Sequence, residues 1–334
     1  MARVSIIGGG SWGLALSKVL NDNDHEVLVY DVNERIVENI NERHLCEQLD
    51  VSIPGDIRAT LSIEEALAFS DTVLFVVPTK VLREAIHAIL PHLHDAKLFI
   101  NAAKGIEPGT FQRNSEIFRE LIPGEYFKGF VALSGPSHAE EVIRGMTTLI
   151  TSASDDEALA RHVQSLFHNQ RYFRVYSSDD LKGVELGGAL KNVFALAAGI
   201  AKGQGHGDNA LAALITRGLV EMGKLYTSLG AKKDSLLGLS GIGDLFVTCT
   251  SEHSRNFQAG LKIGRGSNLD ETLDSMTMVV EGIRTCEAAY TFSQEAGIDA
   301  PIIQAIYNVV FNRIKPSVVF AQLLAREQKP EEKP

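Results

Sequence analysis

Apolar and polar positions come in short alternating blocks through the first half of the chain. The apolar, β-branched blocks at 3–8, 26–31, 72–77, 97–101, 129–133, 147–152 and 171–176 have the length and composition of buried strands. Between them, at 12–22, 33–43, 63–69, 80–90, 111–121, 137–144 and 155–167, the apolar positions follow a helical period. Strands alternating with helices predict a mainly parallel sheet with crossover helices, which the later strands extend with mixed polarity. After about residue 178 the pattern changes. Segments 180–202 and 208–229 are long, alanine-rich and helical in period. Shorter helical periods follow at 240–248, 254–263, 281–297, 301–313 and 316–326, with no strand pattern among them. The predicted fold class is α/β, with a sheet domain over 1–178 and an all-α domain over 179–334.

The turn after the first strand carries specific chemistry. Val4-Ser5-Ile6-Ile7 runs into Gly8-Gly9-Gly10-Ser11-Trp12-Gly13, a G-x-G-x-x-G between a strand and a helix. Gly8 permits the tight turn, Gly10 lets backbone approach a pyrophosphate, and Gly13 lets the helix pack close to the sheet. The sheet domain is therefore expected to be a Rossmann-type doubly wound sheet that places a dinucleotide on a helix N-terminus. Asp31 ends the second strand, where a carboxylate accepts hydrogen bonds from adenosine ribose hydroxyls and repels a 2′-phosphate. The next residue is Val32 rather than a cation, and the pair favours NAD, with NADP possible. The competing reading of Asp31 is a solvated strand end; that of Trp12, the single tryptophan, is a core residue rather than a platform beside the cofactor.

Composition narrows the class. The formal charge is −10 over 334 residues, which argues against nucleic acid or an anionic membrane as partner. A few converging cations can still make a pocket for an anionic small molecule. Cys46, Cys249 and Cys286 form no C-x-x-C pair, so reduced thiols in a cytoplasmic protein are expected. No signal peptide is evident, no apolar stretch approaches the roughly 20 residues of a membrane span, and Glu327–Pro334 reads as a frayed tail. His87, His92 and His94 flank Pro91 without a ligand spacing, so no metal is expected.

Several polar residues stand where chemistry could occur. Lys104 follows the strand at 97–101 among small residues; the alternative is a solvated loop lysine. Ser134-Gly135-Pro136-Ser137-His138-Ala139-Glu140 is a strand-to-helix turn whose amides and Ser137 hydroxyl suit an anion. The same residues also suit a Ser137–Glu140 capping box. Lys191 lies in Gly187-Gly188-Ala189-Leu190-Lys191-Asn192, inside an otherwise small and apolar helical run. Glycines inside a helix cost about 1 kcal/mol each relative to alanine, so they have a packing or ligand reason. A desolvated lysine beside other cations suits general acid–base work; a surface lysine is the alternative. Asp244 could hold that ammonium, and Arg255 could fork onto a phosphate. Taken alone, each reads as a cap or a surface charge.

Together these segments resemble the bacterial NAD(P)-dependent sn-glycerol-3-phosphate dehydrogenase family along the whole chain. The matching motifs are GGGSWG, FVVPTK (75–80), AAKG (102–105), SGPSHAEE (134–141), GALKN (188–192), GLSGIGDL (238–245), HSRN (253–256) and Val-Val-Glu-Gly (279–282). The resemblance implies interconversion of dihydroxyacetone phosphate and sn-glycerol 3-phosphate, which supplies the glycerol backbone of phospholipids. It implies Lys191 as proton donor to the ketone oxygen. It places Lys104, Gly135, Ser137, Lys191, Asp244, Ser254, Arg255 and Asn256 at the substrate. It also places Ser11, Trp12, Lys104, Ala139, Arg255, Val279 and Glu281 at the cofactor. Family members often carry a basic residue where Val32 stands, which agrees with the preference for NAD. One rival class is the β-hydroxyacid and 6-phosphogluconate dehydrogenases, which usually open with G-x-x-G-x-G. The other is an NAD-sensing protein without turnover, which would lack Lys191 or the phosphate cations. A homodimer is the expected assembly, through the apolar helical half.

Overall fold

The computed structural model describes residues 1–276, 280–328 and 330–331. Its strands are β1 (Arg3–Ile7), β2 (Glu26–Tyr30), β3 (Leu45–Cys46), β4 (Val51–Ser52), β5 (Arg58–Thr60), β6 (Thr72–Phe75), β7 (Lys97–Asn101), β8 (Phe127–Ser134), β9 (Thr148–Ala153) and β10 (Phe173–Ser178). Eight of them make one sheet in the order β10-β9-β8-β7-β6-β1-β2-β5, while β3 and β4 pair separately. All neighbours in the large sheet are parallel except β8 and β9. The chain reverses direction across the sheet on either side of β1, between β2 and β6. A sheet of this kind binds ligands at that switch point, beyond the carboxyl ends of its strands.

Both faces of the sheet are covered, which is why its central strands read as nearly continuous apolar runs. Alternate residues serve opposite faces. Val4, Ile6, Val29, Leu74, Ile100 and Val131 enter one core; Ile7, Val73, Phe75, Phe99 and Phe130 enter the other. In the second core, Phe118 of the helix Asn114–Leu121 meets Phe75 edge-on at 4.9 Å and Phe130 at 5.1 Å. The sequence pattern misses β5 and the β3–β4 pair. They have three and two residues per strand, too few to establish a period.

Two compact units emerge, Met1–Lys104 with Arg113–Glu185 and Gly105–Gln112 with Leu186–Pro334. The predicted break at 178/179 therefore shifts, for a packing reason. Leu181 and Val184, in the first turn of the helix Leu181–Gly203, are buried in the second sheet core. The excursion 105–112 joins the helical unit, whose core takes in Ile106.

The helical unit is built around Leu181–Gly203. This helix is long and apolar enough to cross a membrane, contrary to the expectation from sequence, but its whole apolar window is buried inside the protein. A helix apolar on every side is a core helix when other helices surround it. Glycine permits the closest contacts: a Cβ on Gly199 would lie 2.0 Å from the Phe257 carbonyl oxygen, and one on Gly260 would lie 2.1 Å from that of Leu196. Helices Leu181–Gly203 and Arg255–Gly264 thus meet backbone to backbone.

Candidate active site

In the sheet unit the glycine loop has the form its sequence predicts. Gly8 sits at φ +112°, open to glycine and strained for other residues. A Cβ on Gly13 would lie 2.0 Å from the Gly8 carbonyl oxygen, so only glycine lets the helix Ser11–Asn21 start this close to β1. Gly10, the residue before that helix, has no atom within 4 Å of where its Cβ would be. The loop is thus a cradle that side chains would fill, with free space at the helix N-terminus. It fits a dinucleotide pyrophosphate.

Asp31 does more than expected. Its Oδ2 accepts from the Gly9 N–H at 2.7 Å and its Oδ1 from the Asn33 N–H at 2.9 Å. The carboxylate ties the glycine loop to the end of β2. Two oxygens offer about four acceptor positions, so ribose hydroxyls can still be received. Val32 is 82% exposed and brings no charge to the edge. Ser11 is buried in the first helical turn, and Trp12 is half-buried against the first sheet core. Ala139 is the first residue of the short helix Ala139–Val142.

Lys104 lies just beyond β7. Its Nζ donates to the Gly135 carbonyl at 2.8 Å and approaches the Ser137 Oγ at 3.5 Å. Ser137 donates to the same carbonyl at 2.9 Å. The capping box read at Ser137–Glu140 is not formed: the helix starts two residues later, with His138 at its N-cap and no side-chain cap. The Ser137 hydroxyl is spent on the turn instead. Gly135, at φ +151°, is required because a Cβ there would lie 2.9 Å from the Ile150 Cα.

In the helical unit, Lys191, Asp244 and Thr248 are all buried. Lys191 Nζ donates to Asp244 Oδ1 at 2.5 Å and to Thr248 Oγ1 at 2.8 Å. Thr248 Oγ1 in turn donates to the Asp244 carbonyl at 2.5 Å, so its hydroxyl direction is set and its lone pair faces the ammonium. A buried ammonium needs both a counter-charge and hydrogen-bond acceptors, and this arrangement gives it both. Gly241 explains how Asp244 reaches the site. A Cβ there would lie 2.0 Å from the Leu236 carbonyl oxygen, and its non-helical backbone (φ −92°, ψ −106°) kinks the chain before the helix Asp244–Thr250. Gly187 has a packing reason as well: its Cβ would lie 2.3 Å from the Ser240 carbonyl oxygen. Thr248 escaped the sequence reading, although its i+4 spacing from Asp244 puts both on one helix face. The adjacent Cys249 remains a neutral thiol, pushed up to about 12 by burial.

Ser254 caps the helix Arg255–Gly264 by accepting from the Phe257 N–H, which leaves Arg255 half-buried in its first turn. The Asn256 amide is held at both ends. Its Nδ2 donates to Asn192 Oδ1 at 2.9 Å, and its Oδ1 accepts from the Gly282 N–H at 2.8 Å. Asn192, also missed from sequence, is the residue next to Lys191. Glu281 opens the helix Glu281–Glu295. Val279 lies outside the described residues.

Comparison with known proteins agrees with this construction. The model of the NAD-dependent glycerol-3-phosphate dehydrogenase N-terminus matches residues 3–160, and that of the C-terminus matches residues 180–321. A glycerol-3-phosphate dehydrogenase [NAD(P)+] of Shouchella clausii is 47% identical over 334 residues, covering 99% of this chain and 98% of that protein. One from Enterococcus faecalis is 46% identical, covering 98% and 97%. Among solved structures, glycerol-3-phosphate dehydrogenase from Coxiella burnetii superposes with a TM-score of 0.91 at 31% identity, covering 97% of this chain and 99% of that one.

Proposed function

The chain belongs to the NAD-dependent glycerol-3-phosphate dehydrogenase family, and on that premise we propose how its own residues interconvert dihydroxyacetone phosphate and sn-glycerol 3-phosphate. The enzyme is an NAD(P)-dependent oxidoreductase whose product feeds phospholipid synthesis. The buried Lys191–Asp244–Thr248 cluster carries the mechanistic reading. When bound, NAD(P)H supplies the hydride that reduces the C2 carbonyl carbon.

Lys191 gives a proton to the C2 oxygen as negative charge grows there, and takes it back in the reverse direction. Asp244 compensates the ammonium and Thr248 fixes its direction, so the proton is presented from a set position. Arg255, in the first turn of its helix, grips the substrate phosphate with its guanidinium fork. Ser254 caps that turn, and Asn256 holds it against Asn192. Lys104, Gly135 and Ser137 form the polar edge that the sheet unit offers to the substrate. The cofactor is held by Gly8, Gly10, Ser11, Trp12 and Gly13 at the pyrophosphate, by Asp31 and Val32 at the adenosine ribose, and by Lys104, Ala139, Arg255, Val279 and Glu281. NAD is preferred over NADP because Asp31 brings negative charge and Val32 brings none to offset it. The same proposal takes the enzyme to be a cytoplasmic homodimer, supported by three buried free thiols and by the exposed apolar Leu237, Ile242 and Phe246 of the helical unit.

Purified protein is expected to oxidise NADH when dihydroxyacetone phosphate is added, read as loss of absorbance at 340 nm with formation of sn-glycerol 3-phosphate. NADH consumption without that product, or none at all, would refute the assignment.

A further inference from the structure

Within the sheet unit, a buried polar network that the chemistry above does not use ends on the residue before Lys104. The Ala103 carbonyl accepts from Asn101 Nδ2 at 2.9 Å and from Asn114 Nδ2 at 3.2 Å. A carbonyl can only accept, so in both amides the nitrogen is the end that faces it. Both asparagines are almost wholly buried, and among the described residues neither Oδ1 has a hydrogen-bond partner. A buried polar atom left unpaired is a cost that natural cores rarely accept without a reason. Here two such side chains converge on one peptide bond.

Asn114 is itself fixed through its neighbours in sequence. The carboxylate of Glu185 accepts from the Ser115 N–H at 2.8 Å, from Ser115 Oγ at 2.6 Å and from Arg113 Nη1 at 2.8 Å. Arg113 also donates to Glu116 Oε1 at 2.6 Å, which closes the first turn of the helix Asn114–Leu121. The Arg113–Glu185 pair is buried on both sides. Such pairs add little net stability but fix one arrangement against others. The chain of contacts therefore runs from Glu185 through Arg113 and Ser115 to Asn114, and then to the Ala103–Lys104 peptide.

We propose that Asn101 and Asn114, braced by Glu185, are positioning residues that clamp the Ala103 carbonyl and so hold the Lys104 ammonium at the Gly135–Ser137 turn. The proposal rests on the reading that Lys104 meets the substrate and cofactor. An isolated loop lysine would sample many rotamers. Fixing its peptide from two sides sets the position and direction from which the side chain leaves the backbone, so that the Gly135 and Ser137 contacts hold the ammonium from a fixed base before the substrate arrives.

A double-mutant cycle tests the proposal by measuring kcat/KM for dihydroxyacetone phosphate at saturating NADH, with thermal midpoints confirming the fold. Lys104→Ala is expected to lower kcat/KM about a hundredfold and Asn114→Ala about tenfold, while the double variant stays within about twofold of Lys104→Ala. Without the ammonium there is nothing left to position. Asn101→Ala, run in the same cycle, is expected to behave likewise and carries the test if Asn114→Ala does not fold. Losses that multiply with that of Lys104→Ala, or unchanged kcat/KM in both asparagine variants, overturn the positioning role. So does failure of both to fold, which would make the network purely structural. Wild-type kcat/KM in Lys104→Ala would instead refute the reading of Lys104 itself, a result distinguishable from the others.

Discussion

The glycine loop of the sheet unit and the Lys191 pocket of the helical unit use side chains in opposite ways. The loop works by leaving them out: space at Gly10, a positive φ at Gly8, and contact at Gly13 that no Cβ allows. The pocket works by burying them, with an ammonium, a carboxylate and a hydroxyl locked together out of water. A site made of backbone tolerates little added bulk and leans on a single side chain, that of Asp31. A site made of buried charge fails when any one partner is removed, because the others remain desolvated and unpaired.

That contrast sets the size of the expected effects. Asp244→Ala should strike hardest. It leaves the Lys191 ammonium buried without its carboxylate, at a cost of about 3–5 kcal/mol in stability by denaturant titration. It should also lower kcat by about a hundredfold or more. Gly13→Ala comes next. Helix and loop must separate to admit the methyl group, so NADH affinity measured by fluorescence should fall at least about tenfold and stability by about 1–3 kcal/mol. Unchanged NADH binding in that variant would remove the loop from the cofactor site. A smaller change is expected at the edge of β2. The wild type should use NADH better than NADPH, and Val32→Arg should raise the NADPH/NADH ratio of kcat/KM by about tenfold, the value of one charge-assisted contact to a 2′-phosphate. A wild type that prefers NADPH would refute the Asp31–Val32 argument.

A separate effect, on stability alone, lies away from both sites. Glu221 is buried, and its carboxylate accepts from the Ile302 and Ile303 N–H groups at 2.7 and 3.1 Å. Burial outweighs those bonds and pushes its carboxyl up to about 7. The folded protein then holds a proton that the unfolded chain releases near 4.5, so this group's contribution to stability falls as pH rises from there to about 7. The stability of the wild type relative to Glu221→Gln, from urea titrations, should therefore be lower at pH 8 than at pH 5. A flat difference would show that the carboxyl ionises normally, and one that rises with pH would show that the Ile302 and Ile303 amides outweigh burial and favour its charged form.

The same contrast explains what could be read from the sequence. The glycine loop is contiguous and its spacing is its geometry, so strand, turn, helix and Asp31 were all legible. The long helices were legible too, because one period persists over many residues. Lys191 and Asp244 stood out only as candidates, since 53 residues separate them and no local spacing joins them. Thr248 and Asn192 were missed for a related reason: an uncharged side chain beside a charged one gives no signal until the fold shows what it touches. The break at 178 was misplaced because helix Leu181–Gly203 has one uninterrupted period, while Leu181 and Val184 are buried in a different core from the residues after them. The Ser137 capping box does not form because the helix starts at Ala139, which makes His138 rather than Ser137 the N-cap residue, a boundary set by the turn rather than by the motif.

The central claim is that Lys191 of the helical unit supplies the proton while the glycine loop of the sheet unit anchors the cofactor's pyrophosphate. Lys191→Ala tests it most directly, with NADH dissociation constant and kcat measured on the same preparation. NADH binding within about twofold of wild type together with a kcat lowered about a thousandfold is the predicted result. A kcat close to wild type would take Lys191 out of the proton transfer, and loss of NADH binding would contradict the division of labour between the two units.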